Sequence, residues 1–247
     1  MTPSVLRRWL IFALIAGAFA VIVANSGWWE WALRRLFPSE TVVLHPGAPL
    51  ITLVWQHIQL VAISSGITIL VGVPLGVGVT RTSGRDFLPI VGSITSLSQT
   101  FPPVAVLALA VPLFGFGALP TVVALFLYGL LPVVRNTVAG LQSVNKDSLD
   151  AAYGVGMSRW QALVKIEIPL ALPVILAGIR ISVVINVGTA MIGAVIGAGG
   201  LGSPIVAGLV RDNLAFVLEG ALPGAMLALL ADRLLVNLER SLASYTT

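Results

Sequence analysis

The chain has no cysteine and very little charge. Without thiols it can build no disulfide framework, no cysteine-based zinc site and no thiol nucleophile, and redox chemistry does not reveal its compartment. Only 10% of its 247 residues are Asp, Glu, Lys or Arg, against 57% hydrophobic, and the mean hydropathy is +1.00. That is too little polarity to cover a soluble surface, so the bilayer is its solvent. No basic run with interleaved aromatics occurs, so the net charge of +4 and pI near 10.1 do not point to nucleic acid. No G-x-x-x-x-G-K-[ST] loop occurs either, so any ATP must be handled by another chain. His57 has no nearby His or carboxylate and is a poor metal ligand. It is read as preceding the second span near the outer surface. With no catalytic pair in view, the chain is expected not to be an enzyme and to bind no cofactor or metal of its own.

What is present is a succession of apolar runs. A span needs about 20 residues, roughly 30 Å of hydrocarbon at 1.5 Å per residue. That ruler finds about six spans: Trp9 to Ala24, Leu60 to Val79, Leu88 to Phe114, Leu119 to Val134, Leu172 to Ile196 and Ala215 to Val236. The first follows Arg7 and Arg8 and is long for a signal-peptide core, which favours a retained anchor. An even number of spans leaves both termini on one side. With that side cytoplasmic, Arg7, Arg8, Arg81, Arg85, Arg135, Lys146, Arg159, Lys165, Arg233 and Arg240 lie inside, and only Arg34, Arg35 and Arg211 lie outside. The positive-inside bias therefore assigns an N-in/C-in, all-α integral membrane protein.

The polar connections are short. The outer one carries Trp28, Trp29 and Trp31, whose rings suit the headgroup layer. The inner one runs from Arg135 to Pro169 and contains DAAYGVGMSRWQALVKIEIP. Within it Asn145 or Asp147 can cap a helix that Gly154 and Gly156 end. Ser158 and Gln161 then form a capping-box pattern for a second helix, which Pro169 is expected to stop. This helix–turn–helix is too short and too charged to span. Ala151 and Ala152 offer a small-residue surface that another protein's groove can approach closely. Locally the segment reads either as a docking device or as an interfacial amphipathic loop.

This stretch resembles the cytoplasmic signature of bacterial ABC importer permeases, written E-A-A, three residues, G, nine residues, I-x-L-P. Ala151 and Ala152 match the alanines, Gly156 the glycine, Ile166 the isoleucine and Pro169 the proline. Asp150 replaces Glu and Ile168 replaces Leu, both within chemical class. The resemblance implies a type-I (MetI-like) permease fold, with Asp150, Ala151, Ala152, Gly156, Ile166 and Pro169 coupling to an ATP-binding subunit that carries the ATP and Mg. It further implies two such subunits, a second permease subunit, identical or homologous, and an external or periplasmic substrate-binding protein, with the chain multi-pass in the bacterial cytoplasmic (inner) membrane among its lipids. Three more stretches, QTFPPVAVLALAVPLFGFG, LYGLLPVVRNTVAGL and VINVGTAMIGAVIGAGGLGSPI, resemble the membrane subunits of osmoprotectant importers for glycine betaine, choline, carnitine or proline. Another small polar solute, such as an amino acid, is the alternative cargo. The domain reading is an N-terminal helix and outer loop over 1–50, a permease core over 51–237 with coupling helices at 145–169, and a cytoplasmic tail over 238–247.

Translocation has support from the residues as well. Pro102, Pro103 and Pro112 in the third span and Pro132 in the fourth break backbone ladders, which is tolerated where protein or a cavity re-satisfies the carbonyls. Such breaks either line a pathway or shape packing. Gln99, Thr100, Phe101 and Pro102 at the break are pathway candidates, with Tyr128 on the next span. Asn186 and Thr189, one turn apart, either bond across helices or face the pathway. Arg180, on the order of 10 Å into the fifth span, is either functional or snorkels to the inner surface. GAGGLG, Gly197 to Gly202, lacks the preceding strand of a dinucleotide site and is expected to be a tight outer turn or re-entrant bend. An ion-coupled transporter would instead need inverted repeats or coupled intramembrane carboxylates, and Glu219 is the one acid near a span centre or outer end.

Overall fold

The computed structural model describes residues 3–243 as helices and short connections. α1 (Pro3–Ala24) is followed by α2 (Ser26–Leu36), whose start Asn25 caps by accepting from the Trp28 amide. α3 (Leu50–Thr80) is 31 residues long and begins ten residues before the expected start. The arm between α2 and α3 is held to the far end of the sequence: the buried Glu219 carboxylate accepts the His45 amide at 2.7 Å, and Asn213 donates to the Val42 carbonyl at 2.8 Å.

The expected third span is not one helix. α4 (Leu88–Thr100) and α5 (Pro103–Phe114) meet at a bend of 98°. The cause is local, since Phe101 and Pro102 each precede a proline and are forced out of the helical region, with ψ of 137° and 139°. Pro103 can then open α5, because a first-turn residue needs no amide donor. Pro112 and Pro132, by contrast, sit inside continuous helices. Among the described residues, five helices are long and apolar enough to cross a bilayer, and the bent pair makes a sixth crossing or a re-entrant segment.

α6 (Ala118–Gln142) leads to the short α7 (Lys146–Gly154) and α8 (Arg159–Ala162). Pro169 does not stop the chain, as the sequence suggested. A π-turn over Leu163–Glu167 passes directly into α9 (Ile168–Ala190), where Pro169 occupies the first turn. Proline is tolerated there because the π-turn already interrupts the regular ladder that its missing N–H would have joined. A 3-10 turn (Met191–Ile196), α10 (Gly202–Arg211) and α11 (Leu214–Ala243) complete the chain. The last four residues of the expected tail lie outside the described residues.

α3, α6 and α9 form the centre. Gly129 of α6 lies where all three helices meet: an added Cβ would stand 2.5 Å from Ser182 Oγ and 3.2 Å from both Asn186 Nδ2 and Thr68 Cγ2. Small residues at such crossings let backbones meet where lipid supplies no hydrophobic drive. Around Val133, Ala171 and Ile175, the aliphatic side chains of α6 and α9 close the inner half. α1 packs beside α11 with Leu6, Leu10 and Leu14 exposed, as befits a lipid-facing helix. Its outer end meets the start of α3 through Phe19, Val23, Leu50 and Leu53.

Candidate functional site

Two places collect the residues singled out by sequence. The first is the hairpin of α7 and α8. Asn145 caps α7, its Oδ1 accepting from the Asp147 amide at 3.0 Å. Both halves of the Ser158–Gln161 capping box are formed. The turn depends on Gly156, whose φ of +84° is left-handed. Its Cβ direction is open, so the requirement is conformational and not one of space. Asp150 and Ala151 are exposed, whereas Ala152 is buried inside the hairpin, so the two alanines do not share one approachable surface. Ile166 and Pro169 are half-buried at the hairpin base. The exposed apolar side chains at the tip are Val155 and Trp160, 76% and 70% accessible.

The hairpin is tied to the bundle by a residue pair that sequence spacing did not reveal. Arg81, just past α3, grips Glu167 with two parallel contacts, Nη1 to Oε1 at 2.9 Å and Nη2 to Oε2 at 2.7 Å. Glu167 is almost fully buried and Arg81 about one-third exposed. A planar bidentate contact fixes orientation as well as distance. Beside it opens a cavity of about 920 Å³ lined by Thr82, Ser83, Tyr153, Arg159 and Trp160. A force on the hairpin therefore reaches the end of α3 through one ion pair and the start of α9 through the unbroken helix.

The second place is the α4–α5 bend. Proline at 132 removes the amide that would bond the Tyr128 carbonyl four residues back. Gln99 Nε2 donates to that carbonyl at 2.7 Å, and Ser98 Oγ donates to the adjacent Leu127 carbonyl at 2.8 Å. The Tyr128 hydroxyl in turn donates to the Phe101 carbonyl. Two helix irregularities thus satisfy each other, which is why Pro132 can remain within α6. Thr100 returns its hydroxyl to Ser96 at 3.1 Å, and Thr100, Phe101 and Pro102 are exposed on the surface of the single chain.

Asn186 does not share that surface. It is fully buried and donates to Ser65 Oγ at 3.2 Å, bonding α9 to α3, while Thr189 one turn on is half-buried. His57 lies within α3 and is completely buried, its Nε2–H donating to the Val187 carbonyl at 2.9 Å, so the expectation that it precedes the span is corrected. The helix starts earlier than the hydropathy suggested, carrying His57 into the bundle.

A family described as "Binding-protein-dependent transport system inner membrane component" matches residues 72–244. The chain belongs to this family. Among curated relatives of this transport component, it is 43% identical over 218 residues to Osmoprotectant import permease protein OsmY of Salmonella typhimurium, spanning 88% of this chain and 89% of that one. It is 45% identical over 195 residues to OsmW of the same organism, at 77% and 90% coverage. To the Glycine betaine/carnitine/choline transport system permease protein OpuCB of Bacillus subtilis it is 39% identical over 194 residues, at 78% and 88% coverage. Among solved structures, an inward-facing MetNI methionine ABC transporter superposes with TM-score 0.70 at 21% identity, covering 78% of this chain and 95% of that chain. An amino acid ABC transporter crystallised with histidines superposes with TM-score 0.65 at 21% identity, covering 77% and 92%. These likenesses establish the type-I permease fold expected from the DAAYGVGMS stretch.

In the transport component, Arg180 reaches toward two acids of α11, Asp232 at 3.9 Å and Glu239 at 3.8 Å. The GAGGLG stretch is a turn with three left-handed glycines, Gly197, Gly199 and Gly200, and Gln56 Oε1 accepts the Gly200 amide at 3.0 Å. Pro204 falls in the first turn of α10, where it opens a helix and separates it from the 3-10 turn before.

Proposed function

We propose that the chain is the permease subunit of an ATP-driven ABC importer for osmoprotectants such as glycine betaine, choline, carnitine or proline, in a bacterial cytoplasmic membrane. The observation that carries this reading is the α7–α8 hairpin. It is a pre-shaped, doubly capped projection with Val155 and Trp160 exposed at its tip, an apolar surface suited to a partner protein's groove. Asp150, Ala151, Ala152, Gly156, Ile166 and Pro169 present and shape that projection for an ATP-binding subunit, one per permease and two per complex. Nucleotide-driven movement of the hairpin then travels through Glu167 to Arg81 and through the π-turn into α9. The substrate class is supported by 43–45% identity to two permeases named for osmoprotectant import and by 39% identity to one named for glycine betaine, carnitine and choline.

The pathway forms between two permease subunits. Support comes from the exposure of Thr100, Phe101 and Pro102, which a single chain leaves open on one side. Gln99 and Tyr128 hold the bend that presents them, and Asn186 fixes α9 against α3 behind it. An external substrate-binding protein selects the solute, since a quaternary ammonium needs an aromatic cage. The test is reconstitution with the ATP-binding subunit and that binding protein. Glycine betaine or choline accumulation should require internal ATP and the binding protein together. Accumulation driven by an ion gradient without ATP would defeat the proposal, and uptake confined to amino acids other than proline would correct the substrate class.

A further inference from the structure

α1 and α11 run side by side and leave between them a groove of about 530 Å³. Its deeper wall is apolar, formed by Ile11, Ile15 and Phe19 of α1 and Met226 and Leu229 of α11. Its mouth is cationic, formed by Arg8, Arg233 and Arg240. The mouth lies at the end of the bundle that carries the hairpin, because the other end of α1 packs against the start of α3, and α3 finishes at Arg81 beside Glu167. The two arginines of α11 are seven residues apart, hence two turns apart on one face. Asp232 and Glu239 share the same spacing on the neighbouring face and turn to Arg180 of α9. The acids able to neutralise the arginines are therefore engaged elsewhere. Arg8, Arg233 and Arg240 make no ion pair among the described residues.

We infer that this groove holds one anionic phospholipid, with its phosphodiester headgroup among Arg8, Arg233 and Arg240 and an acyl chain along Ile11, Ile15 and Phe19. Charge complementarity chooses the headgroup: a zwitterionic lipid brings its own cation to a mouth that already has three. Length chooses a lipid over a free anion. From Arg8 to Phe19 the groove runs eleven residues, about 16 Å by helical rise, which matches one leaflet of a hydrocarbon core about 30 Å thick. A second helix in this place would cover the apolar wall but would need its own acids at one end to meet the arginines. Bound there, the lipid joins the peripheral α1 to α11, the helix whose acids hold Arg180.

The test titrates the purified full-length chain in detergent with a phosphatidylglycerol and a phosphatidylcholine of identical acyl chains, reading bound lipid by native mass spectrometry. Wild type should bind phosphatidylglycerol more tightly. Each arginine near a lipid headgroup contributes about fivefold, so Arg233→Gln with Arg240→Gln should weaken phosphatidylglycerol binding roughly thirty-fold and leave phosphatidylcholine binding unchanged. The matched lysine pair, Arg233→Lys with Arg240→Lys, should retain most of the preference and shows that the glutamine pair does not act by misfolding. Arg34→Gln with Arg35→Gln removes equal charge at the opposite end and should leave the preference intact. Equal binding of the two lipids by wild type, or equal loss in the two glutamine pairs, would overturn the inference. So would an Ile15→Cys chain that forms a disulfide homodimer and excludes phosphatidylglycerol, since a second copy would then occupy the groove.

Discussion

Gln99 and Pro132 stand far apart in sequence yet share one carbonyl, and that sharing can be measured. Replacing Gln99 with Ala leaves the Tyr128 carbonyl without its 2.7 Å donor. Tyr128 is buried, so water does not readily replace the lost bond. An orphaned buried acceptor costs about 1–3 kcal/mol. Replacing Pro132 with Ala supplies the missing amide, which can bond the same carbonyl within α6. In that background Gln99→Ala should cost no more than about 0.5 kcal/mol, the range of an ordinary unengaged side chain. The coupling energy should then be about 0.5–3 kcal/mol, the range for residues in one network. Unfolding titrations of the four proteins in mixed micelles give the cycle directly. Purely additive costs would refute the reasoning, because they would mean that the glutamine does not serve the carbonyl that proline frees.

Arg81→Ala leaves Glu167 as a buried, unpaired carboxylate. Breaking a fully buried pair costs about 3–5 kcal/mol, and the partial exposure of Arg81 reduces this to about 2–3 kcal/mol. Faster hydrogen exchange over residues 145–167 would report it, and unchanged protection would contradict the tie. Because the chain is free of cysteine, single cysteines introduced at Thr82 and Ser158 should label only from the cytoplasmic side and one at Ser39 only from outside; external labelling at Ser158 would overturn the orientation. Burial and the nearby Arg211 charge lower the His45 pKa below its usual 6.5, and its Nδ1 accepts the Gly47 amide at 3.2 Å. A lowered imidazole pKa means the fold prefers the neutral ring, so this contribution is full above pH 6.5 and declines as pH falls from 6.5 through the lowered folded value. Protection of the Gly47 amide, taken relative to its intrinsic exchange rate at each pH, should fall over that interval, and a His45 titration midpoint above 6.5 by NMR would contradict it.

The parts legible in the sequence are those whose physics is local. Ser158 and Gln161 announce a capping box because the reciprocal bonds need only three residues of spacing, and Gly156 announces a left-handed turn because little else adopts one cheaply. Phe101-Pro102-Pro103 announces a break for the same kind of reason, although nothing in those residues states that the bend is 98°. Pro132 does remove a ladder bond, yet α6 continues through it, because the remedy, Gln99, comes from another helix. Pro169 looked like a stop and became a first-turn residue once the π-turn preceded it. Arg81 and Glu167 are 86 positions apart, and no pattern links them before α3 and α9 are packed. His57 was misplaced because polar residues blur the hydropathy of a span's first turns. The bond to Val187 that makes its burial tolerable belongs to tertiary structure.

The claim that the hairpin couples ATP hydrolysis to transport is tested most directly by measuring glycine betaine uptake and substrate-stimulated ATP hydrolysis together in reconstituted complexes carrying Gly156→Val. At φ +84° a β-branched residue introduces about 1–3 kcal/mol of local strain, enough to displace α8 while the spans remain assembled. The variant should reach the membrane in normal amount and show substrate-stimulated ATP hydrolysis and uptake both well below wild type. Wild-type uptake and wild-type ATP coupling in Gly156→Val would mean that the hairpin is a passive loop, and the account would fail.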